Sequence, residues 1–317
     1  MAVTLQRPQW AYYRGAVRPY DDAVLHISSE AVHRGLNVFE GIKGYWQPDG
    51  TFALLKLQRH YDRLLRSARL LHIPVPVTFP AFEQACFDLV RALLDPANDL
   101  WVRATLYVTE GHWGEDTAAD LVLTCFQQAK REPPAIDVGI STWLRATDLS
   151  LPARIKTSSN YQVARLARIE GRNRGCDEMV LLNQWGRVAE FTGSCLLMAR
   201  DGCVLTPPAW EGALESITVD LVRQLCPSLG IDFAQRPIER TELCIADGLA
   251  LCGTLSEVQR VLALDGHPLP HDPALYAIAR RYQDAVRGHA PHPAVTLTPV
   301  PSAQDAEVTH KATYVTN

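Results

Sequence analysis

The chain has 317 residues, a hydrophobic fraction of 47% and a formal net charge of −4. That length is enough for one large or two medium domains with real cores, and the mild acidity argues against a nucleic-acid binder, which would carry a basic stripe. No run of about eighteen apolar residues is present, so no membrane-spanning helix is expected. The opening residues, MAVTLQRPQWAYYRG, lack the apolar centre of a signal peptide. Eight cysteines (86, 125, 176, 195, 203, 226, 244, 252) are scattered without a CxxC pair. A cytoplasmic protein with free, largely buried thiols and no metal is therefore expected.

Residues 10–30 alternate and turn, which predicts a short hairpin around Arg14-Gly15. EAVHRGLNVFEGIKGYW predicts a helical turn running into a strand, and FALLKL a second strand after the turn QPDG. The helix QRHYDRLLRSARLLHI follows, with Leu64, Leu65, Ala68 and Leu71 on its buried side. FPAFEQACFDLVRALL is an amphipathic helix. DLWVRATLYVTEG and ADLVLTCFQQ are strands separated by the polar loop HWGEDTA. Arg103, flanked there by valine and alanine, would be half-buried without a partner, so a carboxylate ligand is a reasonable cause. AKREPPA has the composition of an interdomain linker.

The second half starts with IDVGISTWLRA, and the loop TDLSLPARI, a candidate gate, leads to Lys156. That residue is one of only five lysines in a chain that prefers arginine. TSSN then opens a helix with Tyr161, Ala164, Leu166, Ala167 and Ile169 on one face and Gly175 as its stop. EMVLLN and VAEFTGSCLLM, joined by QWGR, predict a β-hairpin with Glu190 at mid-strand, where a carboxylate needs a partner. A lysine in a partly desolvated site loses its proton more easily and can form a Schiff base. Ser216 is a good N-cap, and the N–H groups of Ile217 and Thr218 behind it form a ready phosphate cradle. A strand, a helix and a strand ending at Gly253-Thr254 come next, then the helix PALYAIARRYQDAVRG. The proline-rich residues 289–317 are expected to be disordered.

The order K-T-S-S-N-Y, V-A-E-F-T-G-S, S-I-T-V-D and C-G-T-L-S-E-V resembles the fold-type IV enzymes that use pyridoxal 5'-phosphate (PLP). That class includes branched-chain aminotransferases, D-amino-acid aminotransferases and aminodeoxychorismate lyases. The resemblance runs from about Tyr12 to about Val286. It takes in His33, Gly35 and the run Val38-Phe39-Glu40-Gly41-Ile42, and the pattern His60, Arg63, Leu64, Ser67, Ala68. It implies a two-domain α+β fold. The small α/β domain would span 1–128, the linker 129–136 and the larger PLP-binding domain, with a mostly β core flanked by helices, 137–288, leaving 289–317 as a tail.

The resemblance also implies roles. Lys156 would carry PLP as a Schiff base and move the proton, Glu190 would pair with the ring nitrogen, and Tyr161 would reach the phenolic oxygen. Arg63, Ser216, Ile217, Thr218 and Thr254 would hold the phosphate. Arg34, Phe39, Trp101, Arg103, Gln128, Thr254 and Leu255 would meet the substrate, with Arg103 receiving the distal carboxylate of glutamate. Several positions depart from the family pattern: Trp101 stands for a tyrosine, Arg34 for an aromatic, Leu255 for an alanine, Ser216 for a glycine and Val219 for an arginine. The expected protein is a homodimeric transaminase of branched-chain type acting with 2-oxoglutarate, its side-chain preference altered. A D-amino-acid or (R)-amine transaminase and a PLP lyase are the alternatives.

Overall fold

Two β-sheets, built in turn along the chain, meet at a polar seam. The computed structural model describes residues 7–302. The first sheet contains β1 (Trp10–Tyr13), β2 (Ala16–Pro19), β3 (Asn37–Trp46), β4 (Phe52–Leu55), β5 (Asn98–His112) and β6 (Glu115–Ala129). The short helix α1 (Glu30–His33) leads into β3, and α2 (Leu57–Leu70) and α3 (Phe79–Arg91) lie between β4 and β5. The expected hairpin turns at Arg14 and Gly15, both at positive φ, the geometry that suits a two-residue hairpin loop. Leu64 and Ala68 of α2 are buried against the sheet with Phe82 and Leu89 of α3, while Leu65 and Leu71 are only partly covered.

The second half supplies β7 (Ile136–Leu144), α4 (Tyr161–Asn173), β8 (Glu178–Leu182), β9 (Val188–Phe191), β10 (Cys195–Arg200) and β11 (Cys203–Thr206). After these come α5 (Ile217–Leu225), β12 (Asp232–Gln235), β13 (Gly248–Gly253), β14 (Glu257–Leu264), β15 (His267–Pro268), α6 (Pro273–Val286) and β16 (Leu297–Pro299). Its sheet is mixed, with the order β12-β11-β10-β13-β14-β7-β8-β9 and β15 beside β14. Helices α5 and α6 pack on the face of β10 and β13, as Leu221, Val222, Ile278 and Tyr282 bury against Leu197 and Ala250. The expected α+β architecture is the observed one. Residues 130–135 carry the chain from β6 in one sheet to β7 in the other.

Four expectations change. VAEFTGSCLLM is not one strand: it turns at Thr192–Ser194, where Phe191 N–H donates to Ser194 C=O, and β10 then pairs with β13 instead of β8. HWGEDTA is no loop, because β5 and β6 run through it to a turn at Trp113-Gly114, both at positive φ. On α4 the buried residues are Ala164, Ala167 and Gly171, whereas Leu166 is 40% exposed. Small residues bring that helix close to the sheet: a Cβ at Gly171 would lie 2.8 Å from Met179 Cγ. Finally, β16 pairs antiparallel with β4 and completes the first sheet in the order β16-β4-β3-β5-β6-β1-β2. Residues 289–302 are thus part of the fold, and the rest of the expected disordered tail lies outside the described residues.

The seam is polar and buried. Lys43 and Tyr45 of β3 donate to one Glu257 carboxylate oxygen at 2.7 and 2.8 Å, and Gln283 of α6 donates to the other. Glu257 is fully buried and opens β14. Arg287, just past α6, pairs with Asp99 of β5 at 2.7 Å.

Candidate active site

Beside this seam lies a cavity of about 640 Å³, well inside the range of small-molecule sites. Both halves of the chain line it. Phe39, Arg63, Trp101 and Arg103 come from the first. Lys156, Tyr161, Glu190, Ser216, Ile217, Thr254 and Leu255 come from the second.

Lys156 is gripped by the other half of the molecule. Its N–H donates to Ser67 Oγ of α2 at 3.1 Å, and its C=O accepts from Phe39 N–H of β3 at 2.9 Å. The side chain is half-buried, with Nζ donating to Tyr161 Oη at 3.1 Å and lying 4.8 Å from the Phe39 ring centroid. The spacing follows from local structure. TSSN forms a 3₁₀ turn, Ser158–Asn160, ahead of α4, which brings Tyr161 back over the lysine. Asn160 Nδ2 donates to the carbonyls of Pro152 and Ile155 and closes the preceding loop.

Glu190 is 8% exposed, and both its oxygens are engaged. Arg145 Nη2 approaches Oε1 at 3.1 Å and Leu214 N–H donates to Oε2 at 3.0 Å. Arg145 is itself held by the carbonyls of Gly212 and Asn160. Nothing in the sequence distinguished Arg145, one arginine among many. Cys195 Sγ lies 3.8 Å from Glu190 Oε2, and burial followed by the Glu190 charge pushes this thiol up to about 12, which favours its neutral form.

Arg63 is 4% exposed, unlike Arg59, Arg66 and Arg69 on the same helix. Its Nε and Nη2 each donate to Glu40 at 2.7 Å, and Nη1 donates to Glu215 C=O at 2.9 Å. Burial opposes ionisation of Glu40, but the Arg63 charge and hydrogen bonds, with a bond from His60, outweigh it and hold the carboxyl at about 2. The Glu215 contact sets the guanidinium against the start of α5. There Ser216 Oγ accepts from Val219 N–H as the N-cap, and Ile217 and Thr218 N–H, in the first turn, have no intrahelical acceptor.

Trp101 and Arg103 of β5 also line the cavity. Trp101 Nε1 and Arg103 Nε are buried without a hydrogen-bond partner, and burial lowers the Arg103 pKa.

The sequence profile of the family described as "Amino-transferase class IV" matches residues 37–264. The chain belongs to this family. It is 31% identical to a probable branched-chain-amino-acid aminotransferase of Synechocystis sp., over 83% of this chain and 87% of that protein. A solved branched-chain aminotransferase of Thermoproteus uzoniensis, with norvaline, superposes with a TM-score of 0.84 at 28% identity, covering 93% of this chain and 100% of the other. The enzyme of Thermobaculum terrenum in its PLP form gives 0.84 at 30% identity, covering 93% and 99%.

This class IV aminotransferase is a PLP-dependent transaminase. Its cavity suits that cofactor. Its lining holds donors that suit a phosphate, on Arg63, at the open start of α5 to which Arg63 is tied through Glu215 C=O, and on Thr254, while the Glu40 charge beside Arg63 is already engaged. Lys156, Tyr161 and Glu190 line the same cavity. No helix among the described residues is long and apolar enough to cross a membrane, no group of three or more His, Cys, Asp or Glu among them could hold a metal, and the eight cysteines are free.

Three expected site residues do not line the cavity. Thr218, in the first turn of α5, is buried and does not line the cavity. Arg34 pairs with Glu30 and stacks 4.5 Å from the Trp113 ring centroid, on the outside of the first sheet's long hairpin. Gln128 Nε2 donates to Gln127 C=O at 2.8 Å near the far end of β6. Gln128 shares the face of Trp101 and Arg103, but it sits opposite Asp99, two places toward the end of the ladder and past the cavity.

Proposed function

We propose that this transaminase moves an amino group between branched-chain-type amino acids and 2-oxoglutarate, and that it works as a homodimer in the cytoplasm. The observation that carries the reading is the Lys156–Tyr161 contact at 3.1 Å in a cavity that also holds Glu190 and an open helix start. When bound, PLP supplies an aldehyde that captures the donor amine and a ring that takes up the electrons released when the α-carbon loses its proton. The remaining work falls to the chain. Lys156 Nζ takes the proton from the substrate α-carbon and returns it, as a reachable amine can. Tyr161 Oη holds that amine in position between transfers. Glu190, braced by Arg145 and Leu214 N–H, would pair with the ring nitrogen. Arg63, Ser216, Ile217, Thr218 and Thr254 would hold the phosphate, and Arg103 would receive a substrate carboxylate.

The family to which the sequence points completes each site with the small domain of a second subunit. Arg34 fits such a role, because it stands outside its own cavity, stacked on Trp113, which is 77% exposed. A panel of donors, assayed with 2-oxoglutarate and with pyruvate, tests the substrate reading. Turnover of leucine, isoleucine or valine is expected. Turnover confined to D-amino acids or (R)-amines, or pyruvate release without an acceptor, contradicts it.

A further inference from the structure

One residue of the seam stands in a backbone conformation that its type rarely takes. Glu257 has a φ of 54°, a region that glycine enters freely and other residues enter at a cost. Arg14, His72, Trp113 and Asp201 share that geometry on exposed turns. Glu257 is instead fully buried, and it stands where β14 resumes after the turn at 254–256. Gly253 and Glu257 face each other across the base of that turn. Strain of this kind persists only where the surroundings over-determine it, and it gathers at sites that hold ligands.

The surroundings here are donors from two other elements. Lys43 Nζ and Tyr45 Oη of β3 donate to one carboxylate oxygen at 2.7 and 2.8 Å, and Gln283 Nε2 of α6 donates to the other. Lys43 is 5% exposed and Tyr45 is fully buried, so solvent competes little for these bonds. Both leave the same face of β3 as Phe39 and Gly41, which line the cavity. Phe39 N–H also holds the Lys156 carbonyl. One strand thus anchors the lysine and, about 13 Å further along, the base of the 254–256 turn. Thr254 and Leu255 of that turn line the cavity, whereas Glu257 does not. The carboxylate therefore acts on the site only through the backbone of the turn.

We propose that Glu257 is a positioning residue for the cofactor phosphate. The clamp on its carboxylate holds its backbone at positive φ, and that conformation sets the turn from which Thr254 meets the cavity. Without the clamp the backbone relaxes toward negative φ and the turn withdraws its donors. The proposal deepens the assignment of Thr254 to the phosphate and rests on it, but its test separates the two.

The experiment strips the purified full-length enzyme of cofactor and titrates back either PLP or pyridoxal, which lacks the phosphate, followed by the absorbance of the bound aldehyde. Glu257→Ala is expected to weaken PLP at least about tenfold while pyridoxal changes less than about twofold. Glu257→Gly also lacks the carboxylate but takes positive φ without strain, so it recovers at least about threefold of that loss. Equal weakening of both ligands, no weakening of either, or a glycine variant no better than the alanine one overturns the proposal. If these variants do not fold, because Lys43 is left buried without its partner, the same pair is made with Lys43→Met, which removes the stranded charge, and the same ratios decide. Thr254→Ala runs alongside. An unchanged ratio of PLP to pyridoxal affinity in that variant refutes the phosphate role of Thr254, while the Glu257 pair still judges whether the clamp holds the turn.

Discussion

Lys156 owes its position to residues that precede it by about ninety and about a hundred and twenty places, Ser67 and Phe39, which hold its backbone from α2 and β3. Its chemistry was legible in the sequence because a lone lysine before TSSN is unusual in an arginine-rich chain, and Glu190 because a carboxylate in an apolar run needs a cause. Arg145 was not, since only the fold brings it within 3.1 Å of Glu190. Replacing Lys156 with alanine is expected to lower kcat about 10²- to 10⁴-fold with the fold intact, as measured by half-reaction kinetics and circular dichroism. Arg145→Met leaves Glu190 without its charged partner and should cost about 3–5 kcal/mol in urea unfolding.

Glu40 gives a pH prediction at the same scale. Its carboxyl is held at about 2 against an ordinary 4.5, because Arg63 and His60 overcome the burial that would raise it. His60 is shifted down from 6.5, chiefly by burial and against the pull of Glu40. In both cases the unfolded chain binds more protons as the solution becomes acidic, so stability falls with falling pH. The His60 contribution weakens below about pH 6.5, and the Glu40 contribution is complete above about pH 4.5 and fades toward pH 2. Glu40→Gln should flatten the acid limb between pH 5 and pH 2 while destabilising the protein at pH 7, in unfolding curves taken across that range. An unchanged acid limb would show that the Glu40–Arg63 pair does not govern it.

At the level of elements, what the sequence hid was pairing. The hydrophobic run from Val188 to Met198 is continuous in composition, yet β9 pairs with β8 and β10 with β13, a long-range choice that local pattern does not encode. The helix starts were clearer. Ser216 caps α5 as its residue type dictates, so that helix start was readable from a single serine. The proline-rich tail misled, because proline is tolerated on an edge strand, and β16 occupies the edge beside β4. Val300 of this segment is buried in the first core. Truncation after residue 294 should cost at least about 2 kcal/mol from lost burial and leave β4 as a bare edge. Thermal unfolding and light scattering of the shortened chain measure both effects, and an unchanged Tm would contradict the role given to β16.

For the molecule as a whole, composition and motif order were enough to read two halves and a shared site. The seam that joins them was not readable, because Lys43 and Tyr45 stand more than two hundred places before Glu257 and Gln283. The exposed Trp113 tip belongs to this scale too. If it docks on a second copy, Trp113→Glu removes a large aromatic anchor worth at least about 2 kcal/mol and shifts sedimentation toward monomer. Sedimentation of both proteins as monomers would set the dimer aside.

The site as a whole stands on the amine of Lys156 holding the cofactor. Borohydride reduction of the purified holoenzyme, followed by peptide mass mapping, tests this directly. The account predicts one stable phosphopyridoxyl adduct, on the peptide carrying Lys156, absent from the alanine variant. An adduct on another lysine, or none on a protein that still turns over amino donors, would contradict it.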